Sequence, residues 1–593
     1  MHTTRSHLTQ YLWALVLLAG VVLFAAGSGA PVSADALGRL TQGGSLAANA
    51  QISASAALTG PIYLPLVFSP PTPAISGLEV TQSVQTPSNS VPLVAGRRTM
   101  LRVYAYTLYS YAAGGDPLND VRVSVAATRN GTALLGSPLV AGPQTAPITA
   151  TRANYGSTFN VELPSNWLSG SVVITATAYQ GSTPYVTATN WSSLALNFNS
   201  VPALKVMVVP IRYTDTPTGQ VYPAPSTDTL SSWIMRAYPI SAIQLTFHAA
   251  YAYTGDLRQF GDWNTLLSDI DALKAGDGAS ASQIYYGLIP TTNSQGTWFT
   301  SGYSGLGYIS YRVSIGLELP TSVGWSADQT GETAAHEIGH NLGRYHAPCG
   351  NPASPDPNYP YAGGIIGQFG LDIPKGVLWN PTTTYDLMSY CHPQWLSDYT
   401  YQGLYTDQRA NGAAVLGAAA PGLFIRGAIA DTGQVTLKPV YALKTGLTPS
   451  PIASDYQAQL LNAGGQVVAA YPVRVLEAAL DPGGVIQSIS AVVPQPAQPV
   501  TRVRLIRAGL TAAEKNLAPA VATAAVSSVT RQAGAVTVRW GAPAQPALVR
   551  YSTDGGQTWT TVGVDVLGGQ LTVNSADLPA DGAGQFDVTL AEP

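Results

Sequence analysis

His336-Glu337-Ile338-Gly339-His340-Asn341-Leu342-Gly343-Arg344-Tyr345-His346 is the stretch from which the rest of this chain is read, and it satisfies H-E-x-x-H-x-x-G-x-x-H at every fixed position. On a helix His336 and His340 lie one turn apart, so both imidazoles project from one face and can grip a single zinc ion. Ala334, Ala335, Ile338 and Leu342 fall on roughly the opposite side, which gives the same helix a face to bury. Gly343 stands where the helix should stop, since a residue with positive φ caps it and turns the chain, letting His346 swing back as a third ligand. Three neutral imidazoles leave the fourth tetrahedral position open, the property that separates a catalytic zinc from a structural one. A water polarised there has its pKa lowered to about 7. Glu337 is positioned to take its proton and return it to a leaving amine.

Working outward, the next informative stretch is Tyr385-Asp386-Leu387-Met388-Ser389-Tyr390-Cys391. With both stretches the sequence resembles the metzincins, a clan of zinc endopeptidases defined by the extended histidine motif and a downstream Met-turn. The resemblance covers about residues 200–415. It implies that Met388 forms an apolar floor beneath the ligands without binding the metal. Tyr390 matches the tyrosine that, in astacin-like and serralysin-like members, sits near the zinc and helps hold the oxyanion; an aromatic packed in the turn is its other reading. The resemblance also implies an upper subdomain with a twisted sheet and the zinc helix, and a lower one with a helix after the Met-turn, for which Trp395–Gln408 is the candidate. An edge strand that pairs with extended substrate is implied too. Gly305 to Ser310 is its candidate, with Gly307, Tyr308 and Ile309 as the substrate-binding residues. The spacing of His346 to Cys349 and of Met388 to Cys391 looks like that of bacterial secreted metzincins with appended β domains.

The N-terminus supports export. Arg5 and His7 precede an uncharged run from Tyr11 to Gly27, and small residues end at Ala34. That order reads as a secretory signal cleaved after Ala34, with an uncleaved anchor as the alternative. In an exported protein the two cysteines, Cys349 and Cys391, point to one disulfide tying the third-ligand loop to the Met-turn. Thiolate ligation of zinc is the rival, and it would fill the open position. Of the other polar residues, His248 reads as a strand histidine with an ordinary hydrogen bond. His392 reads as packing near the cleft. Glu332 reads as a solvated first-turn carboxylate, or as one that orients an imidazole.

Charged residues are only 10% of the 593, against 46% hydrophobic, with 59 Gly and 44 Pro. An ordinary domain has roughly 25% charged residues, so the composition favours a turn-rich, β-heavy, non-cytosolic chain. The net charge of −4, without any basic cluster, argues against nucleic acid as a partner. The expected organisation is multidomain: a signal peptide at 1–34, an Ala/Ser/Pro-rich linker at 35–73, and an immunoglobulin-like β-sandwich at 74–200. An α+β metzincin-like unit follows at 201–420, then a β-sandwich at 421–515 and a fibronectin III-like sandwich at 516–593. Within the α+β unit, strands are expected at Leu204–Pro210, Gln283–Ile289 and Gly307–Ile315, and helices at Ser226–Ala237 and Trp263–Lys274. The functional expectation is a secreted zinc endopeptidase acting on extended polypeptides or glycoproteins, not inserted in a membrane after signal cleavage. The β domains would serve as spacers or as docking modules for glycans or cell surfaces. The alternative is a surface adhesin whose zinc site is vestigial or structural. The 74–200 domain reads either as an inhibitory pro-segment or as a retained module.

Overall fold

The computed structural model describes residues 70–593 except 110–114, 227, 415–419, 431, 446–453, 482–484, 518–523 and 592–593. The signal peptide and nearly all of the linker lie outside the described residues. Among the described residues no helix is long and apolar enough to cross a membrane.

The described chain is mostly β-sheet with few helices, arranged in several sheets. It opens with two sheets packed face to face. One contains Thr72–Thr81, Met100–Leu108 and Phe159–Glu162; the other is built around Leu118–Arg129, Gly170–Gln180 and Trp191–Asn199. Alternating residues such as Val121, Val123 and Val125 fill the space between them.

The next segment begins with β1 (Leu204–Asp215), flanked in parallel by β2 (Ile243–Phe247) and β3 (Tyr251–Gly255) on one side and by β4 (Ile284–Pro290) on the other. Its apolar residues alternate faces. Leu204, Val206 and Val208 enter the core that also holds α1 (Ser231–Ala237) and α3 (Gln329–Asn341), while Val209, Ile211 and Tyr213 enter the core beside α2 (Phe260–Gly276). The sheet is therefore covered on both sides, which is why its strands read as continuous apolar runs. Helix α1 is shorter than the sequence suggests, because the Asp228 carboxylate accepts from the Leu230 and Ser231 amides and the helix starts only there.

The strand expected over Gly307–Ile315 is two strands. β5 (Gly305–Tyr308) turns at Ser310, whose φ is 56°, and returns as the antiparallel β6 (Val313–Glu318). A larger difference concerns the other side of β5. The residues taken as a free, substrate-binding edge are already paired, through β7 (Ala420–Ile429), β8 (Val475–Asp481) and β9 (Val485–Pro494) of the following β segment. β8 lies antiparallel to β5 with Gly305 opposite Asp481 and Tyr308 opposite Ala478, and the Ile309 amide donates to the Glu477 carbonyl at 2.7 Å. β9 in turn joins β8 to β7. Gly307, Tyr308 and Ile309 thus lie in the middle of one continuous 12-stranded sheet. Leu476 and Ala478 reach the core beside α2.

After Met388, Gln394–Trp395 pairs in parallel with Tyr385–Asp386, so the last helix, α4 (Asp398–Asn411), starts three residues later than expected. Ser397 caps it by accepting from the Thr400 amide at 3.0 Å. The remaining chain forms a sheet of Tyr456–Leu461, Val467–Pro472, Arg502–Arg507 and Leu510–Asn516 packed against β7 to β9. A last pair of three-stranded sheets closes over Val536, Val538 and Trp540.

Candidate metal centre

Helix α3 is buried almost throughout, and Ala334, Ala335, Ile338 and Leu342 lie in the core beneath the sheet. Its packing is close enough that glycine is required on both sides. A Cβ on Gly305 would stand 2.1 Å from the Glu337 carboxylate, and one on Gly307 would stand 2.8 Å from the Glu337 carbonyl. On the other side, a Cβ on Gly339 would meet the Met388 sulfur at 2.5 Å. Asn341 ties the helix to the β5–β6 turn by donating to the carbonyls of Tyr308 and Val313 at 3.0 and 2.9 Å. The helix ends at Gly343, with φ 81°; the Gly343 amide donates to the His340 carbonyl and the Arg344 amide to that of Gly339. These two bonds make a Schellman turn.

That turn brings His346 back to the helix. His336, His340 and His346 are each under a tenth exposed, and one ring nitrogen from each lies within 4.8 Å of the others. The tautomers follow from the neighbours. Nδ1 of His336 lies 2.7 Å from the Leu387 carbonyl, Nδ1 of His340 2.6 Å from the Arg344 carbonyl, and Nδ1 of His346 3.5 Å from the Ala353 carbonyl. A carbonyl only accepts, so each Nδ1 carries the proton and each Nε2 presents a lone pair. Nε2 of His340 and Nε2 of His346 are 3.2 Å apart. Two ligands at about 2.05 Å from one tetrahedral ion stand about 3.3 Å apart, so this donor set fits a metal.

The turn that carries Met388 packs against the helix. Asp386 is fully buried and braces the turn by accepting from the Met388 and Ser397 amides at 2.8 and 2.9 Å. Burial pushes its carboxyl above the ordinary value. Met388 is buried against α3, and the Tyr390 hydroxyl donates to His346 Nε2 at 3.1 Å. Cys349 and Cys391 form a disulfide with Cα atoms 5.7 Å apart, which fixes the His346 loop to the segment that follows Met388. Neither thiol is therefore a metal ligand.

Beside His336 and Tyr390 opens a cavity of about 220 Å³, lined also by Ser304, Glu332, Thr333 and His392. Glu332 is not a solvated carboxylate. Burial, aided by Asp328, raises its pKa to about 7, against the opposing pull of Arg236 and Lys375. His392 is held below the ordinary imidazole value by burial. His248 lies far off in the β2–β3 link; burial opposes its charge, but the Asp277 carboxylate 3.0 Å away raises its pKa.

Gly307, Tyr308 and Ile309 do not line this cavity. Their strand packs on the helix through Gly305 and Gly307, against the Glu337 side chain, and its outer edge is taken by β8. The sequence signals for this contact were the glycines at 305 and 307; a G-x-G spacing marks close approach of a backbone as readily as an open edge. Asn341, Asp386 and Ser304 carry no motif, and their roles emerge only from the fold.

A family model described as Peptidase M66 matches residues 263–386, from the start of α2 through the three histidines to Asp386. A comparison with curated proteins finds no match. The match supports a peptidase. M66 peptidases are metallopeptidases, in keeping with a histidine triad that could bind a metal.

Proposed function

We propose that this chain is an exported zinc endopeptidase of the metzincin type that hydrolyses polypeptides or glycoproteins outside the cell. The observation that carries the proposal is the histidine set, one ring nitrogen from each of three imidazoles within 4.8 Å of the others with every Nδ1 beside a backbone carbonyl. A zinc ion bound there would lower the pKa of a water to about 7 and polarise the scissile carbonyl. Glu337 takes the proton of the attacking water as general base. It then delivers that proton to the amine as the C–N bond breaks. The Tyr390 hydroxyl, within reach of the ligand His346, supplies a hydrogen bond to the oxyanion that develops in the transition state. Polypeptide is the substrate class that follows from a peptidase. The paired β5 edge means that a substrate main chain does not dock by adding a strand at 305–309.

The test is metal content by mass spectrometry on the purified protein, with cleavage of a peptide library with and without chelator. About one zinc per chain and cuts that vanish with chelator and with Glu337→Ala are expected. Zinc without any cuts would favour the adhesin reading. A Glu337→Ala protein as active as the parent would refute the mechanism.

A further inference from the structure

The cavity beside the metal centre selects its occupant by charge. Resting on the endopeptidase reading, we propose that Glu332 is a specificity-determining residue, and that the cavity takes a cationic substrate side chain, lysine or arginine, next to the cleaved bond. The cavity shares His336 and Tyr390 with the metal centre, so a peptide bond held there must send a neighbouring side chain toward it. Its walls are polar: Ser304 and Thr333 contribute hydroxyls, and Gln329 and Gln394 contribute amides. Glu332 is the acidic residue among them.

The local charges leave Glu332 uncompensated. Arg236 is committed to Asp328 and Asp372, and Lys375 to Asp328. Two cations thus face three carboxylates in the group formed by Arg236, Lys375, Asp328, Asp372 and Glu332. Among the described residues the Glu332 carboxylate makes no hydrogen bond or ion pair, although it is largely buried. A buried carboxylate without a donor is costly, and an entering ammonium or guanidinium removes that cost. With the β5 edge closed by β8, main-chain pairing along 305–309 cannot dominate recognition, which leaves more of the discrimination to this cavity.

The test uses the full mature chain with zinc at pH 8 and a library of end-blocked octapeptides, with cleavage sites read by mass spectrometry. Matched peptides carrying Lys, Gln, norleucine or Glu at the selected position are then compared by kcat/KM. The Lys peptide should exceed the Gln and norleucine peptides by about ten-fold, the effect of one charge-assisted hydrogen bond. Glu332→Gln should bring that ratio close to one, and Glu332→Lys should reverse it in favour of the Glu peptide. A purely structural role would slow all four peptides alike. Cleavage abolished by Glu337→Ala but with no cationic preference, or with a preference unchanged in Glu332→Gln, overturns this inference and leaves the endopeptidase standing. No cleavage by the parent chain brings down both.

Discussion

Helices α2 and α3 lie on opposite faces of the same sheet, and both bury polar side chains, yet they do so to opposite ends. In α2, Asp269 accepts from the Tyr251 hydroxyl at 3.0 Å and faces Arg426, Asp271 accepts from Tyr311 at 2.7 Å, and the Lys274 ammonium donates to the carbonyls of Ser280 and Gln283. Each group is matched by one of opposite character, and burial still raises Asp269 to about 6 and lowers Lys274 to about 7. At α3, buried imidazoles turn like groups toward one another: Nε2 of His340 lies 3.2 Å from Nε2 of His346, which the turn after the helix brings back. Complementary pairs inside a protein are architecture. Converging acceptors call for a cation from outside.

The largest expected effect separates chemistry from folding on α3. Glu337→Ala should lower kcat/KM by about 10³-fold or more, the range of general acid–base catalysis, while the circular dichroism spectrum and metal content stay those of the parent. A parallel loss of structure would mean that Glu337 belongs with the architectural set. Next comes the brace beneath the site. Replacing both Cys349 and Cys391 by Ser opens a loop spanning 42 residues and should cost about 4 kcal/mol by chain entropy, read from urea unfolding.

On the α2 side, Arg426 is 1% exposed between Asp565 at 2.6 Å and Asp269 at 3.7 Å. Arg426→Ala should destabilise by about 3 kcal/mol in the same unfolding assay, because it strands buried carboxylates. Zinc content of the folded fraction should not change; a loss of metal would erase the distinction between the helices.

The smallest effect carries a sign that depends on pH. Glu332 has a pKa of about 7 in the folded chain and 4.5 as its ordinary value. Between these values the folded chain holds a proton that the unfolded chain releases, so burial of Glu332 destabilises increasingly as pH rises from 4.5 and fully above 7. Glu332→Gln should therefore melt higher than the parent at pH 8, by about 1–2 kcal/mol after allowance for partial exposure, and no differently at pH 4. Thermal melts of the metal-free proteins at both pH values check it.

The legible parts of this molecule are those in which a few adjacent residues carry a full set of constraints. The histidine spacing and the positive φ at Gly343 are local geometry and can be read in sequence order. The β1 run announces burial on both faces because it is nearly continuously apolar from Val206 to Ile211. By contrast, Gly305-Leu306-Gly307-Tyr308 looks the same whether its edge is open or paired, since a strand's backbone groups carry no record of their partner. The partner β8 lies about 170 positions onward, and its own sequence is an ordinary apolar strand. Glu332 departs from expectation for a related reason: a first-turn carboxylate is normally wet, and only the segments packed around α3 bury it.

The sequence by itself therefore carried the histidine triad of the candidate metal centre, the turn that brings His346 back to it and the β-rich character of the chain. These rest on covalent spacing and on apolar periodicity, which need no distant partner. The tertiary structure alone decided that the β5 edge is closed, that Glu332 borders the candidate metal centre in a polar cavity, and that the buried charges of α2 are matched. Each of those depends on which remote segment comes within hydrogen-bonding distance, and that is fixed only when the sheets assemble.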